Sequence, residues 1–525
     1  MKGRFRVSMA WLHTWAGLVF CWILYFMFVT GTLGYFDAEI DRWMKPEEAP
    51  AKVATQTQNL SAALGYFARE AEGADRWSLT FPGGREEPHL RVFWQGPQPE
   101  EEGEERASGN ERLNALTGEP LPEAVRDTGG GQVLYRMHYT LHYVDRGVAF
   151  RFIGVVTMFM FLGLITGIII HKKLFRDFFT FRPKGKRAWL DAHNLLSVST
   201  LPFQLMITYS GLIFTVTTWM PLIALGSYGF DTQKAAAQLQ ALGNVQVERA
   251  GTPAELTDVQ ALISNAQAEW GERARRVDVQ MPGDANARVF VSRDAGFGGI
   301  PEQRMYDGVS GEFLETIDPA SRAPIAVAAT LIGLHEGLFA GPLLRWLYFI
   351  SGLLGAGMVA TGAIYWTVKR RKAIPYEEQS RGFRFVDGLN LGTLLGLPVG
   401  IAAYFWANRL LPLGLEGRAE WEVHCLFLVW AVCLLYPLAR PRSVAWRDLA
   451  WAGCFAFAAL PIVNALTTDA HLVNSLRSGD WVLAAFDLTA LAFGLLFAVL
   501  ATMIGRRGTG VQRLAPATPG EASAA

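Results

Sequence analysis

The stretch HTWAGLVFCWILYFMFVTG, residues 13–31, has a counterpart in HNLLSVSTLPFQLMITYSG, residues 193–211. In both, a histidine precedes a hydroxyl–glycine pair by 17 positions, and nearly all residues between them are apolar. Such a segment predicts a transmembrane helix. An ionisable residue inside a membrane helix is costly and marks a functional site. The repetition therefore suggests two ligands that face one object between them.

Composition places the chain in a lipid bilayer. Of its 525 residues, 51% are hydrophobic and 18% charged, and the net charge is zero, so no charge argument favours a nucleic-acid partner. The apolar residues form long runs, which predicts an α-helical integral membrane protein of about eight spans. The predicted spans are 9–34, 152–170, 195–224, 343–367, 391–411, 422–439, 448–467 and 481–504.

Lysine and arginine clusters predict the orientation. They occur at the N-terminus and after the second, fourth, sixth and eighth spans, which all lie on one side of the membrane. Because cytoplasmic loops carry such clusters, both termini are expected in the cytoplasm. Two polar segments, 38–135 and 226–330, then fall on the outer side. The tail, 509–525, is rich in Ala, Thr, Pro and Gly and is predicted to be disordered.

The two outer segments resemble each other. One holds RWSLTFPG from Arg76 and the turn Thr117-Gly-Glu; the other holds RVDVQMPG from Arg276 and the turn Ser310-Gly-Glu. This order of strands and turns predicts a small α+β domain with an antiparallel sheet in each. The chain is thus interpreted as a tandem repeat of helix, outer domain and helix. Its predicted parts are 1–37, 38–135, 136–225, 226–330, 331–372, 373–508 and 509–525.

A second pair of histidines opens the second helix of each copy. His142 precedes a run that reaches Thr166-Gly, and His335 precedes one that reaches Thr361-Gly. Symmetry then predicts two facing pairs, His13 with His193 near the cytoplasm and His142 with His335 near the outer surface. Two neutral imidazoles on opposite sides of a flat macrocycle are the ligands of a bis-histidine haem.

Other interpretations of these histidines stay open. His171 ends the second span, and His138 lies four residues before His142 on the same predicted helix face, so either is an alternative ligand. Zinc prefers tetrahedral sets of Cys, His and carboxylate, for which Asp191 and Glu336 are the only nearby acids. A proton relay is a further alternative, although the predicted spans contain few acids.

At residues 5–372 the chain resembles the PepSY-associated transmembrane proteins, through the paired histidine helices and the Ser/Thr-Gly-Glu turns. The stretch from His171 to Pro183 and the motifs WLDAHN and LPFQLMITYSG look most like the FoxB-type siderophore reductases. This resemblance implies PepSY-like periplasmic domains and two haems b held by His13, His142, His193 and His335. It further implies a reductase of the bacterial inner membrane that passes electrons to a ferric siderophore.

The chain has no Rossmann or Walker motif, so electrons are expected from a quinol or a separate cytoplasmic reductase. Hydroxamate siderophores hold Fe(III) better than the softer Fe(II), so reduction loosens the complex. Candidate residues for the substrate cleft are Trp94, Tyr135, Tyr139 and Phe339. Two rival functions remain, a siderophore transporter without a redox cofactor and a regulatory membrane protein that binds peptides.

Overall fold

The structure is a computed structural model. It describes residues 2–48, 54–83, 85, 87–99, 105–122, 124–171, 182, 185–215, 247–294, 296–299, 301–321 and 323–512. The end of the predicted third span, most of the basic loop after His171, and the predicted disordered tail from residue 513 onward lie outside the described residues.

Helices dominate the described chain. In chain order they are α1 (Lys2–Gly34), α2 (Asp37–Met44), α3 (Gln56–Glu70), α4 (Gly130–Met137), α5 (Arg146–Ile170), α6 (Arg187–Ser199), α7 (Leu201–Phe214), α8 (Val259–Trp270), α9 (Ala323–Glu336), α10 (Pro342–Arg370), α11 (Arg381–Leu394), α12 (Gly396–Leu410), α13 (Arg418–Ala439), α14 (Arg442–Ala458), α15 (Leu460–Thr467), α16 (Leu472–Ser478) and α17 (Trp481–Gln512). The short helices α2 and α4 were not predicted from the sequence.

Seven helical segments of the described chain are long and apolar enough to cross a membrane, and the bent pair α6–α7 makes a possible eighth. This agrees with the predicted number and identifies a multi-pass helical membrane protein. Contacts divide the chain into two compact units. The first comprises residues 1–48, 124–205 and 344–525, and the second comprises residues 49–123 and 206–343.

The third span differs from the first in its backbone. Helix α1 runs without interruption, whereas α6 and α7 meet at an angle of 68° around Thr200. Pro202 explains the break, because proline donates no amide hydrogen and its ring clashes with the carbonyl of the preceding turn. The corresponding residue of α1 is Trp22, which permits a continuous helix.

The outer segments contribute to one sheet rather than to two separate domains as expected. Its seven strands have the order β3-β2-β1-β4-β5-β6-β7, and all neighbours are antiparallel. The strands are β1 (Arg76–Thr80), β2 (Leu90–Gln95), β3 (Ser108–Leu113), β4 (Arg276–Gln280), β5 (Arg288–Ser292), β6 (Gln303–Asp307) and β7 (Phe313–Ile317). Without the β1–β4 pairing, the first strand of each segment would have an edge with unpaired backbone groups. In the sheet, β1 and β4 pair with each other along these edges.

The pairing of β1 with β4 is symmetric about its central residue pair. Ser78 lies opposite Asp278, and Arg76 and Arg276 lie two positions away on opposite strands. Both arginines bind the Asp278 carboxylate, at 2.7 Å each. Two equivalent arginines on one central carboxylate are the arrangement that a local twofold relation between the outer segments produces.

One face of the sheet is covered by α3 and α8. The apolar side chains of β1, β2, β4 and β5 that point to this face are buried with those of the two helices. Trp77 of β1 stacks on Phe67 of α3, with ring centres 5.1 Å apart. Alternation along each strand thus places apolar residues under the helices and the Asp278 cluster on the other face.

Candidate functional site

The four predicted histidine helices share a hydroxyl–glycine pair, and each of these hydroxyls bonds within its own helix. Its hydrogen is donated to the carbonyl four residues earlier, at 2.7–2.8 Å. The pairs are Thr30-Gly31 of α1, Thr166-Gly167 of α5, Ser210-Gly211 of α7 and Thr361-Gly362 of α10. Because glycine has no side chain, each pair leaves a shallow gap on the helix surface. We call these four positions the hydroxyl–glycine niches.

His13 occupies the niche of α5. Its Nδ1 lies 2.9 Å from the carbonyl oxygen of Gly163 and 3.2 Å from the Thr166 hydroxyl. A β-carbon on Gly167 would lie 3.3 Å from the imidazole, which is tighter than most packing contacts. The glycine therefore allows the ring to lie flat against the helix and reach the backbone.

His193 occupies the niche of α10 in the same manner. Its Nδ1 lies 2.8 Å from the carbonyl oxygen of Met358, and a β-carbon on Gly362 would lie 3.1 Å from the ring. Met358 precedes Gly362 by four residues, as Gly163 precedes Gly167. The two histidines thus use equivalent backbone groups on equivalent helices.

His13 and His193 lie next to each other, with ring centres 6.3 Å apart and ring planes at 63°. Because a carbonyl oxygen only accepts hydrogen bonds, Nδ1 of each ring carries the hydrogen. Nε2 of each neutral ring then has a free lone pair, and no described residue bonds to it. Metal-bound histidines are oriented in this way, with the second ring nitrogen donating to a backbone carbonyl.

His138, which follows α4, occupies the niche of α1. Its Nδ1 lies 2.8 Å from the carbonyl oxygen of Met27, four residues before Gly31. A β-carbon on Gly31 would collide with the imidazole. Burial lowers the pKa of His138, and the bond to Met27 opposes this only in part. The ring is therefore neutral at pH 7, as a metal ligand must be.

His335, at the end of α9, contacts the niche of α7. Its Nδ1 lies 2.9 Å from the Ser210 hydroxyl oxygen, whose own hydrogen is donated to Met206 at 2.7 Å. The imidazole must therefore be the donor. The Phe214 ring packs beside it, with ring centres 5.3 Å apart. His335 thus contacts the niche of α7 through the serine hydroxyl, whereas His138 contacts that of α1 through a backbone carbonyl.

His142 lies elsewhere on the first unit. Its Nε2 is 3.1 Å from the Glu420 carboxylate, and its ring packs on Phe427 with ring centres 6.0 Å apart. Of the two histidines that precede the second predicted span, it is His138 that contacts a niche. The feature that distinguishes them is structural, because the short helix α4 brings His138 onto α1.

The remaining histidines contact none of the niches in the described part of the chain. His171 ends α5, and its buried Nδ1 has no partner among the described residues. His424 accepts from or donates to the Tyr143 hydroxyl at 2.7 Å. His89 precedes β2, and His471 precedes α16. His171 thus stays an alternative ligand by position only.

The predicted substrate residues are divided between the units. Tyr135 and Tyr139 belong to the first unit and have ring centres 5.5 Å apart. Trp94 of β2 and Phe339 belong to the second. Phe339 packs on Phe297, an exposed aromatic that sequence reasoning missed, with ring centres 4.2 Å apart.

The two imidazoles of His13 and His193 are the donor set of a two-ligand haem site. Within the described residues, no three His, Cys, Asp or Glu side chains converge as a metal-binding group. A tetrahedral zinc site needs such a set. Two imidazoles that share one metal at about 2 Å have ring centres about 6 Å apart, which matches the 6.3 Å between His13 and His193.

Comparison with known proteins adds one finding. The sequence model of the family described as PepSY-associated TM region matches residues 10–369. This match covers most of the chain, including all four niches and the histidines in contact with them. No curated protein matches the chain significantly.

Proposed function

We propose, from the premise that the chain belongs to the PepSY-associated transmembrane family, that it is a ferric-siderophore reductase of the FoxB type. In this proposal it resides in the bacterial inner membrane with both termini in the cytoplasm. It binds two haems b and reduces Fe(III) held by a hydroxamate siderophore in the periplasm.

The observation that carries the proposal is the His13–His193 pair. The two rings are spaced for one metal, their Nδ1–H groups are fixed by backbone carbonyls, and their Nε2 lone pairs are available. Neither ring would need to reorganise its hydrogen bonds to hold a haem iron. Haem, when bound there, would supply reversible one-electron exchange.

For the second haem, the niches support His138 and His335 as ligands. Each ring lies against the hydroxyl–glycine niche on the first helix of its own copy. His138 bonds to a backbone carbonyl there, as the first pair does, and His335 bonds to the Ser210 hydroxyl. His142 remains the alternative from the sequence, and its Nε2 is engaged by Glu420. Since Glu420 is largely exposed, this contact is weak, and replacing His142 distinguishes the two ligand sets.

We propose the substrate and the electron donor on chemical grounds. Hydroxamate oxygens are hard ligands that release iron when it becomes Fe(II). Tyr135, Tyr139, Trp94 and Phe339 are proposed to contact the siderophore, with Phe297 beside Phe339. Electrons are proposed to come from a quinol in the lipid or from a cytoplasmic reductase.

Haem content tests the function directly. The purified full-length protein is expected to contain two haems b with reducible Soret and α bands. His13→Ala and His193→Ala should each remove one haem, and His138→Ala and His335→Ala should each remove the other. The reduced wild type should convert a ferric hydroxamate to Fe(II), detected with a ferrous-specific chelator.

His142→Ala and His424→Ala are the controls, and both are expected to retain two haems. Loss of the second haem in His142→Ala alone would restore the sequence-based pair. A colourless wild-type protein produced with ample haem would refute the proposal. If that colourless protein binds a ferric hydroxamate, a transporter becomes the better explanation.

A further inference from the structure

The C-terminal bundle, α11–α17, has no counterpart in the repeat, and it contains an ionic pair that is fully buried. Arg418 and Glu422, one turn apart on α13, form an ion pair at 2.5 Å with both side chains 0% exposed. Burying two charges is costly, and a buried pair is often no more stable than apolar residues of the same size. Its presence calls for a role other than stability.

The Arg418–Glu422 pair forms hydrogen bonds to the chain just before α4. Arg418 donates to the carbonyl oxygen of Asp127 at 2.8 Å. The Thr128 hydroxyl donates to Glu422 at 2.5 Å. Asn408 of α12, which is also buried, donates to Thr128 at 3.1 Å and to Glu422 at 2.8 Å. We call Asn408, Arg418 and Glu422 the anchor.

Further contacts fix the first residues of α4. The Tyr404 hydroxyl donates to the carbonyl of Gly130 at 2.8 Å, and Asp41 accepts from the Gly131 amide at 2.7 Å. Gly130 has a φ of +61°, which favours glycine. A β-carbon on Gly131 would overlap the backbone of Asp37. The start of α4 therefore has one tightly defined position.

His138 lies directly after the other end of α4. The helix has eight residues and is about 12 Å long, so its start and His138 move together as one rigid piece. At α1, His138 bonds to the Met27 carbonyl and fits against Gly31. Any shift at the start of α4 would reach the imidazole.

We propose that the anchor is a positioning device for His138, and that this is a function of the C-terminal bundle. The inference rests on the proposed function in one respect, the role of His138 as a haem ligand. The bonds of the anchor described above lead to Asp127 and Thr128, not to the niche of α1. They act through α4, by fixing where it begins.

Two variants separate positioning from stability. Glu422→Gln leaves Arg418 buried without a charged partner, so it should destabilise the protein and alter the second haem. Arg418→Met combined with Glu422→Met removes both charges, so stability should return toward wild type. The double variant still lacks the bonds to Asp127 and Thr128, so the second haem should remain altered.

The measurements are haem occupancy, the electron paramagnetic resonance spectrum, and amide hydrogen exchange of 130–137. Both variants should lose at least half of the second haem or shift its signal, with the His13–His193 haem unchanged. Exchange in α4 should rise at least tenfold. Asp387→Asn, which disrupts the Arg442–Asp387 pair in the same bundle, is the matched control and should change neither readout.

The outcomes separate the two proposals. Wild-type spectra and wild-type exchange in the double variant would overturn the positioning role. A wild-type protein without haem would overturn the proposed function, and exchange in α4 would still decide whether the anchor fixes that helix. Raised exchange with two unchanged haems would show that α4 loosens without carrying a ligand, which also overturns the positioning of His138.

Discussion

The two segments that the sequence predicts to be copies of one repeat place His13 and His193 alike, but their surrounding helices differ. His13 and His193 bond to equivalent carbonyls on α5 and α10, although α1 is continuous and α6–α7 is sharply bent. His138 follows α4, and the residue Thr128 just before α4 bonds to Glu422 of the C-terminal bundle. In contrast, α9 packs on the 3-10 turns Gly296–Gly298 and Pro319–Ser321 of its own unit. The comparison shows that the hydrogen bonds of His13 and His193 are the common feature and the surrounding helices are not.

The largest loss of haem is expected when a methyl group is added to the hydroxyl–glycine niche of α1. In Gly31→Ala the new β-carbon would occupy space now filled by the His138 ring. Because α1 and α4 are packed helices, the imidazole must move away from Met27. We expect loss of most of the second haem, measured as haem per protein, with the other haem retained.

Gly388→Ala, inside the membrane helix α11, is the control. No atom lies within 4 Å of a β-carbon there, and alanine is the better helix former by about 1 kcal/mol. This variant should keep both haems and unfold at the same or a slightly higher temperature. Equal haem loss in both variants would mean that the niche does not hold His138.

A smaller effect is expected at the centre of the sheet, where the two outer segments differ. Burial of Asp278 would raise its pKa, but hydrogen bonds and charge from Arg276 and Arg76 outweigh this and lower it. A lowered carboxyl pKa stabilises the fold above the unfolded value of about 3.9, and this is lost as pH falls through the folded pKa.

Asp278→Asn is therefore expected to reduce stability at pH 7 by about 2 kcal/mol, the usual loss for hydrogen bonds to a charged group. The difference in Tm from wild type should shrink as the pH approaches the folded pKa from above. Glu87→Gln, which removes a partly exposed ion pair with Arg91 on the same sheet, should have little effect. A pH-independent difference would argue against the charge mechanism.

Local sequence patterns predicted much of the fold. Apolar runs marked the membrane spans, and the Pro-Gly and Ser/Thr-Gly-Glu turns marked the strands, because these signals depend on neighbours in the chain. The pairing of β1 with β4 could not be predicted, since it joins residues 200 positions apart. The same holds for α2 and α4, whose eight-residue lengths give too short a periodic pattern.

The site was predictable to the extent that the repeat encoded it. Repetition singled out His13 and His193, which the structure brings together. It also singled out the Thr/Ser-Gly pairs, although not as the positions that receive the histidines. His138 and His142 could not be ranked, because both precede the same apolar run and only the packing of α4 on α1 distinguishes them.

The smallest change in stability is expected at the bend between α6 and α7, where Gln204 stands at the position that Leu24 has in α1. Gln204 is fully buried, and its Nε2 makes only two long hydrogen bonds, at 3.4 Å to Ser351 and 3.5 Å to Thr200. Its Oε1 has no partner among the described residues. An unpaired buried carbonyl costs about 1–3 kcal/mol, which offsets the weak bonds.

Gln204→Leu should therefore leave Tm unchanged or raise it by a few degrees, with haem content unaltered, because Pro202 still imposes the bend. The reciprocal change, Leu24→Gln, buries an amide in the continuous helix and should lower Tm clearly. If Gln204→Leu instead lowers Tm as much as Leu24→Gln does, Oε1 must bind a hydrogen-bond donor such as water. The bend of the second copy would then be a polar site within the membrane and not merely a break in a helix.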